Sequence, residues 1–275
     1  MAMESAVERA GEAAGAAHLP AEASAQAGET GIHVALAAER LGHFLGIPIT
    51  NTLVTSLAAM GILVILSFVM RGRLKLIPGK FQTLLEYAFE FVYDYVAETL
   101  ESTEMARKFF PLLMTIFLFV FTANILEFIP GVGSLTFDHH PLFRGANTDL
   151  TTPLVLALVS FFVIEITGIL TIGIWKYGSK FLQNPLTNPV GFAVGLIELI
   201  GELVRVVSLS FRLFGNIFAG AVVISVATYF APYGVPVLLM LFEIFIGFLQ
   251  AAVFALLTLF FIKLAIEEPH REEAH

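Results

Sequence analysis

The chain has 275 residues, 57% of them hydrophobic and only 14% charged, with a mean hydropathy of +0.84. A soluble domain carries about 25% charged residues, so this is the composition of a polytopic membrane protein. The absence of cysteine excludes disulfides, thiolate metal sites and cysteine nucleophiles, and a net charge of −8 without a basic stripe argues against nucleic acid as a partner.

Residues 1–46 read as an extramembrane tail. The opening MAMESAVERAGEAAGAAHLPAEASAQAGE is rich in Ala, Glu and Gly and lacks the basic-then-apolar order of a secretory signal. The stretch 52–70 supplies the roughly 20 apolar residues that a bilayer core requires. Arg71, Arg73, Lys75 and Lys80 follow it at once. Basic flanks mark the cytoplasmic side, so the tail is predicted outside and the chain enters the cytoplasm after its first span.

Residues 81–101 do not read as a span. Glu86, Glu90, Asp94 and Glu98 recur every fourth residue, while Phe81, Leu85, Phe89, Val92 and Val96 fill another face. This is a helix lying flat at the cytoplasmic interface. Its stripe is acidic, where membrane-surface helices are usually basic, so a protein partner and lipid headgroups are equally good contacts. The second span is 109–128, after Arg107 and Lys108; it ends with Asn124, Glu127 and the breaker Pro130-Gly131. An outside loop to about Leu150 holds Asp138, His139, His140, Asn147 and Asp149. The third span, 151–174, carries Glu165 near its centre, and Lys176 and Lys180 return that end to the inside. Two long apolar segments follow, 190–230 and 235–266, separated by APYG with its turn formers Pro232 and Gly234. At 1.5 Å per residue the first is roughly 60 Å long, about twice the hydrocarbon thickness, so it must tilt, bend or begin at the surface. The whole is an all-α membrane protein: five spans and one interfacial amphipathic helix in a single domain over 47–268, with a cytoplasmic tail at 269–275. No internal repeat is visible, which argues against a repeat-built transporter.

The run SLSFRLFGNIFAG, 208–220, puts Arg212 inside an apolar segment. A charge at mid-membrane costs about 2.5–3.5 kcal/mol on insertion scales, which makes Arg212 a functional candidate. With Arg212 at zero on a helical wheel, Glu198, Arg205, Ser208 and Asn216 all fall within roughly 40° of it, and Gly201 and Ala219 share the stripe. Polar glue between helices accounts for Ser208 and Asn216 but does not require a permanent charge. Arg205 has a second explanation, snorkelling or pairing with Glu202 or Glu198. On the last segment Glu243, Gly247 and Gln250 share a face, near the depth predicted for Arg212 in an antiparallel hairpin. This stripe suits an aqueous, proton-conducting path; a buried Glu243–Arg212 ion pair is the structural alternative.

With these residues in place, the chain resembles subunit a of the F-type ATP synthase, the membrane stator of a proton turbine. The family carries an S-L-x-x-R-L-F-G-N-x-x-A-G run around an essential arginine. IPGKFQ followed by Glu86, ANTDL at 146–150 and the Glu243-x6-Gln250 helix agree in order. The resemblance covers about residues 47–268. It implies a slanted two-helix hairpin against a rotating ring of c subunits, in a complex with a b-subunit peripheral stalk, in a bacterial plasma (inner) membrane with the N-terminus outside and the C-terminus cytoplasmic. It implies no enzymatic site of the chain's own and no cofactor. The essential arginine maps to Arg212, and Glu198, Ser208, Asn216, Glu243, Gln250 and Asp149 map to the proton path. Two positions depart from the family: Ala221 stands where many members carry an acid or histidine, and Val206 where proline is common. The resemblance therefore leaves Glu243 acting alone or with Asp149, Asn124, Glu127 or Glu165.

Two local patterns lead elsewhere and are set aside. NPLTNP resembles the Asn-Pro elements of water channels, but those come one per half of the chain. Asp138-His139-His140 lacks further metal ligands at good spacing. No HExxH, Walker loop or GxSxG is present. The alternatives to a stator are an ion-coupled secondary transporter using Arg212 for an anionic substrate, and a structural membrane anchor.

Overall fold

The structure, a computed structural model, describes residues 39–44, 47–129, 136–137, 140–141, 143–181 and 189–266. Most of the predicted N-terminal tail 1–46, all of the C-terminal tail 269–275, the Asp138-His139 pair and most of the NPLTNP loop lie outside the described residues.

A short antiparallel ribbon, β1 (Arg40–Phe44) and β2 (Ile47–Thr50), leads into helix α1 (Asn51–Arg73). Thr50 caps α1 by accepting from the Leu53 amide at 3.3 Å, and Arg71 and Arg73 sit in its last turn, where the helix dipole favours cations. Only small or polar residues at the start of α1 are buried, namely Asn51, Thr52, Thr55 and Ala59; Ile65, Leu66 and Phe68 further along are exposed. Helix α2 (Lys80–Leu100) covers the segment predicted to lie flat at the interface. It buries Val96, sets Tyr93 edge-on to Phe110, and ends at Glu101 in the left-handed conformation, φ 52°.

Helix α3 (Thr103–Phe128) begins earlier than the predicted span. Ser102 is the reason: its hydroxyl accepts from the Met105 amide, and Glu104 occupies the first turn, so Arg107 and Lys108 lie within the helix rather than before it. A two-residue ribbon, β3 (Thr136–Phe137) and β4 (His140–Pro141), and a 3-10 turn at Ala146–Thr148 follow. Apart from these two short ribbons the described elements are helices, as expected of an all-α membrane protein. Helix α4 (Thr151–Ile172) stops at Gly173, φ 93°, and the chain turns into a short helix, α5 (Ile174–Phe181), where a connecting segment was predicted.

The predicted long segments are both single helices: α6 (Pro189–Phe230), 42 residues, and α7 (Val235–Ile266), 32 residues. Gly234, φ 85°, makes the turn between them, in a conformation that a side chain disfavours. At 1.5 Å per residue α6 is about 63 Å long.

Besides a small cluster of Ala59, Ala123, Leu126 and Ala146 that ties α1 to α3, two larger apolar clusters hold the helices together. One gathers Ile116 and Val120 of α3, Ala157 of α4, Val206, Leu209, Leu213 and Ile217 of α6, and Ala251 and Phe254 of α7. The other joins Val96, Phe109, Leu113, Ile164, Leu259 and Ile262 across α2, α3, α4 and α7. Helix α7 is thus central, packed on α3, α4 and α6. By length and apolar composition α1, α3, α4 and α7 are long enough to cross a membrane.

Candidate functional site

Helix α6 has two faces. Val206, Leu209, Leu213 and Ile217 turn into the core, while Ser208, Arg212, Asn216 and Ala219 turn outward. The predicted polar stripe is thus exposed at Ser208, Arg212, Asn216 and Ala219 and half-buried at Glu198, Gly201 and Arg205. Arg212 Nη2 donates to Ser208 Oγ at 3.3 Å, one turn back on the same helix. Among the described residues Arg212 makes no ion pair. The structural alternative, a pair with Glu243, does not form.

The reason is the hairpin's register. Asn216 Nδ2 donates to Gln250 Oε1 at 2.7 Å, and Gly220 lies against Glu243. Glu243 thus sits two turns nearer the hairpin's turn than Arg212, about 12 Å along α6, and not at the depth of Arg212 as the sequence suggested. Gln250 meets α6 at Asn216, one turn from Arg212, and so stands closer to the arginine's level than Glu243 does. Glu198 lies on the other side of Arg212, about 21 Å along the axis.

Glu243 is buried, and one of its oxygens, Oε1, has no hydrogen-bond partner among the described residues. A Cβ on Gly220 would overlap its carboxylate, so glycine is what allows the acid to lie flat on α6. A cavity of about 480 Å³ opens there, with Asn216, Gly220, Glu243 and Gln250 as its polar edge and Val223, Leu239 and Phe242 among its apolar walls. Ala221, the departure from the family pattern, does not line it.

Behind α7 the polar residues continue. Asn147 Nδ2 donates to Asn124 Oδ1 at 2.6 Å, and Asn124 Nδ2 donates to the Gly247 carbonyl at 3.2 Å. Both asparagines are buried. Glu127 lies one turn beyond Asn124, its carboxylate pressed on Gly145 and within electrostatic range of Glu243 and Arg144. Its Oε2 is buried without a partner among the described residues. Asp149, the expected path residue nearby, accepts from the amide and hydroxyl of Thr151, both at 3.1 Å, in an Asx turn that leads into α4.

A separate cluster forms near the start of α6. Arg205 Nη1 donates to Glu202 Oε2 at 2.7 Å, and its guanidinium carbon lies 4.4 Å from the Phe261 ring centre. The pairing with Glu202 was one of the two sequence readings. Glu165 of α4 accepts from the Tyr177 hydroxyl at 3.1 Å. Burial, and then the Glu165 carboxylate, push the Tyr177 phenol above its ordinary value.

The structure thus brings Asn216, Gln250 and Glu243 to one cavity, with Asn124 and Glu127 behind it. Arg212, Ser208 and Glu198 stay on the outer stripe, and Glu165 and Arg205 belong to the second cluster. Sequence reasoning missed Tyr177, Gly220, Gly145 and Arg144. Gly220 closes the SLSFRLFGNIFAG run, but its role, like those of Tyr177 and Gly145, appears only through a partner distant in the chain.

A family model described as ATP synthase A chain matches residues 52–263. The chain belongs to the ATP synthase subunit a family. The ATP synthase subunit a of Moorella thermoacetica is 33% identical over 220 residues, covering 80% of this chain and 92% of that protein. That of Geotalea daltonii is 34% identical over 212 residues, covering 77% and 85%, and that of Campylobacter concisus 35% over 210 residues, covering 74% and 85%. Family membership and four apolar helices make this ATP synthase subunit a homologue a multi-pass membrane protein.

Proposed function

We propose that the chain is the proton-translocating stator of an F-type ATP synthase, with Arg212 as the residue that makes ring carboxylates give up their protons. The observation that carries this reading is Arg212 itself: a permanent cation on an outward face of a largely apolar helix, held by one hydroxyl and, among the described residues, by no carboxylate. Such a charge is costly in lipid. The cost is offset if a partner supplies the counter-ion, and the fitting partner is a c-subunit ring that brings a carboxylate past α6 at each step.

Arginine stays protonated, with a pKa above about 12. A fixed cation lowers a nearby carboxylate's pKa by roughly 1–3 units, so each ring acid that reaches Arg212 releases its proton. Two half-paths then serve the ring. One opens through the cavity at Glu243, Asn216 and Gln250, with Asn124, Glu127 and Asp149 behind it; the other approaches Glu198 at the opposite end of the stripe. Arg212 stands between them and blocks a direct leak, so a proton crosses only by riding the ring. Each proton then delivers about 2.3 kcal/mol per 100 mV of membrane potential.

In this reading α6 is a fifth crossing, slanted to fit its length, and α2 lies at the cytoplasmic interface. The domain runs over 47–268, in a bacterial plasma membrane, with the N-terminus outside and the cavity end of the hairpin facing out. The wider assembly includes a b-subunit peripheral stalk and the catalytic head; this chain contributes no enzymatic site.

The test is co-purification with a ring and a catalytic head, followed by reconstitution in liposomes. Arg212→Ala is expected to assemble and to lose proton-coupled ATP synthesis, and Arg212→Lys to fail as well, since lysine loses its proton in such a site. Wild-type coupling in Arg212→Lys would overturn the reading. Transport by the purified chain without a ring would support a secondary transporter instead.

A further inference from the structure

The connection between α1 and α2 is charged and apolar at once, and neither the cavity at Glu243 nor the outward stripe of α6 explains it. Arg71, Arg73, Lys75 and Lys80 follow one another closely and are all exposed. Among the described residues none of them makes an ion pair. Between them stand Leu76, which is fully exposed, and Ile77, which is 86% exposed. The loop is nonetheless held. Gln82, in the first turn of α2, accepts from the Lys75 amide at 3.2 Å and donates to the Lys75 carbonyl at 3.1 Å, so one side chain fixes both backbone groups of one loop residue. A fixed loop that presents bare apolar side chains beside unpaired cations marks an interaction site.

The helices on either side select the partner. Residues 64–69 of α1 are all exposed, so the cations emerge from the end of an apolar helix that no described residue covers there. On α2 the face of Val92 and Val96 packs into the apolar cluster shared with α3. Phe81, Leu84, Phe91 and Tyr95 form a second apolar face, roughly 90° further round the helix, and all four are exposed. Glu86 and Glu90, the acids nearest the loop, point roughly 150° away from that second face. Only Glu98, at the end of α2 far from the loop, comes within roughly 60° of it. Helix α2 therefore fits a crook between α3 and a bilayer surface, apolar on both those sides and acidic toward water. Unpaired cations beside apolar side chains match the two halves of an anionic phospholipid, its phosphate and its acyl chains. An acidic peptide would supply the charge but not the acyl phase that the exposed turns of α1 require.

We infer that the loop over 71–80 is an anionic-phospholipid site. Arg71, Arg73, Lys75 and Lys80 hold headgroup phosphates, Leu76 and Ile77 enter the acyl boundary, and Gln82 keeps the loop in the shape that presents both. The site rests on the membrane placement of α1 and is independent of Arg212 and of the proton path. It ties the start of α2 to the bilayer on the side opposite its packing against α3.

The chain contains no cysteine, so Ile77→Cys gives a single labelling position in it. The experiment attaches an environment-sensitive fluorophore there in the assembled complex, with the other subunits cysteine-free, and reconstitutes it in phosphatidylcholine vesicles containing a minor fraction of phosphatidylglycerol. Bromine is carried on the acyl chains of one lipid or the other, and quenching is compared at equal mole fraction of brominated lipid. Brominated phosphatidylglycerol is expected to quench roughly threefold more strongly, and the preference should vanish at high salt. Arg73→Gln/Lys75→Gln should lose the preference while quenching persists. Gln82→Ala leaves every charge in place and should also weaken it, because the loop is no longer held. Phosphatidylglycerol retained per complex on detergent extraction is a reading that needs no label, and it should fall in the same two variants. Equal quenching by the two lipids in the unaltered loop would overturn the headgroup site and leave apolar insertion alone. Absence of quenching by either would overturn it as well, as the mark of a protein partner over the loop. A full preference in Gln82→Ala would replace the built site by diffuse attraction. Each of these readings is independent of coupled ATP synthesis, so the stator reading stands or falls separately on Arg212.

Discussion

Asn216 of α6 and Gln250 of α7 share a 2.7 Å hydrogen bond one turn from Arg212, and it sets the hairpin's register at the site. Gln250 is buried, so its amide depends on Asn216. Replacing Asn216 by Leu leaves that amide unpaired, a cost of about 1–3 kcal/mol. We expect reduced proton conductance and a lower melting temperature of the detergent-solubilised complex. The Asn216→Leu/Gln250→Leu pair should cost less than the sum of the single changes. Strict additivity would show that the two residues act separately.

The buried amide chain behind α7 makes a stability prediction. Asn147 donates to Asn124, which donates to Gly247, so one side chain links the turn before α4, helix α3 and helix α7. Asn124→Leu removes both bonds and leaves a buried amide and a carbonyl without them. The expected loss is about 1–3 kcal/mol for each group left unsatisfied. Thermal release of the subunit from the complex should occur at lower temperature, and Asn147→Leu alone should cost less than Asn124→Leu.

The Lys263–Glu101 bridge predicts the opposite. The atoms are 3.0 Å apart, but the Glu101 side chain is 79% exposed. Exposed pairs contribute less than about 1 kcal/mol and are screened by salt. Glu101→Gln should therefore leave the melting temperature within a degree or two at physiological ionic strength, which the same melting assay reads directly.

These residues also show how far the sequence reaches. Helix α7 is found over the predicted 235–266, because APYG punctuates one end and Lys263 and an acidic run mark the other. The polar stripe of α6 is equally legible, since helical periodicity fixes a face. Periodicity does not fix depth. Whether Glu243 stands opposite Arg212 or Gly220 depends on how far α7 slides along α6, and that is set by contacts between the two helices, the Asn216–Gln250 bond among them. Tyr177 is hidden for a related reason. Its partner is twelve residues earlier across a helix break at Gly173, and nothing in WKYGSK reports the reversal. The early start of α3 was within reach: Ser102 followed by Glu104 is a helix-start signal, overshadowed by the basic pair Arg107-Lys108.

Gly220 and Glu243 give the sharpest test of the cavity. A Cβ at Gly220 would occupy the position of the Glu243 carboxylate, so Gly220→Ala must displace the acid or part the helices. Neither helix loses a backbone hydrogen bond, and alanine is the better helix former by about 1 kcal/mol, so assembly should persist. Proton conductance should fall, because the acid no longer faces Asn216 and Gln250 across the cavity. Shortening the acid by one methylene should recover part of the loss: Gly220→Ala/Glu243→Asp is expected to conduct better than Gly220→Ala alone, although Glu243→Asp by itself conducts worse than wild type. That crossing of effects is what direct contact requires. If Glu243→Asp lowers conductance by the same factor in both backgrounds, Gly220 acts by some route other than the space it leaves for Glu243.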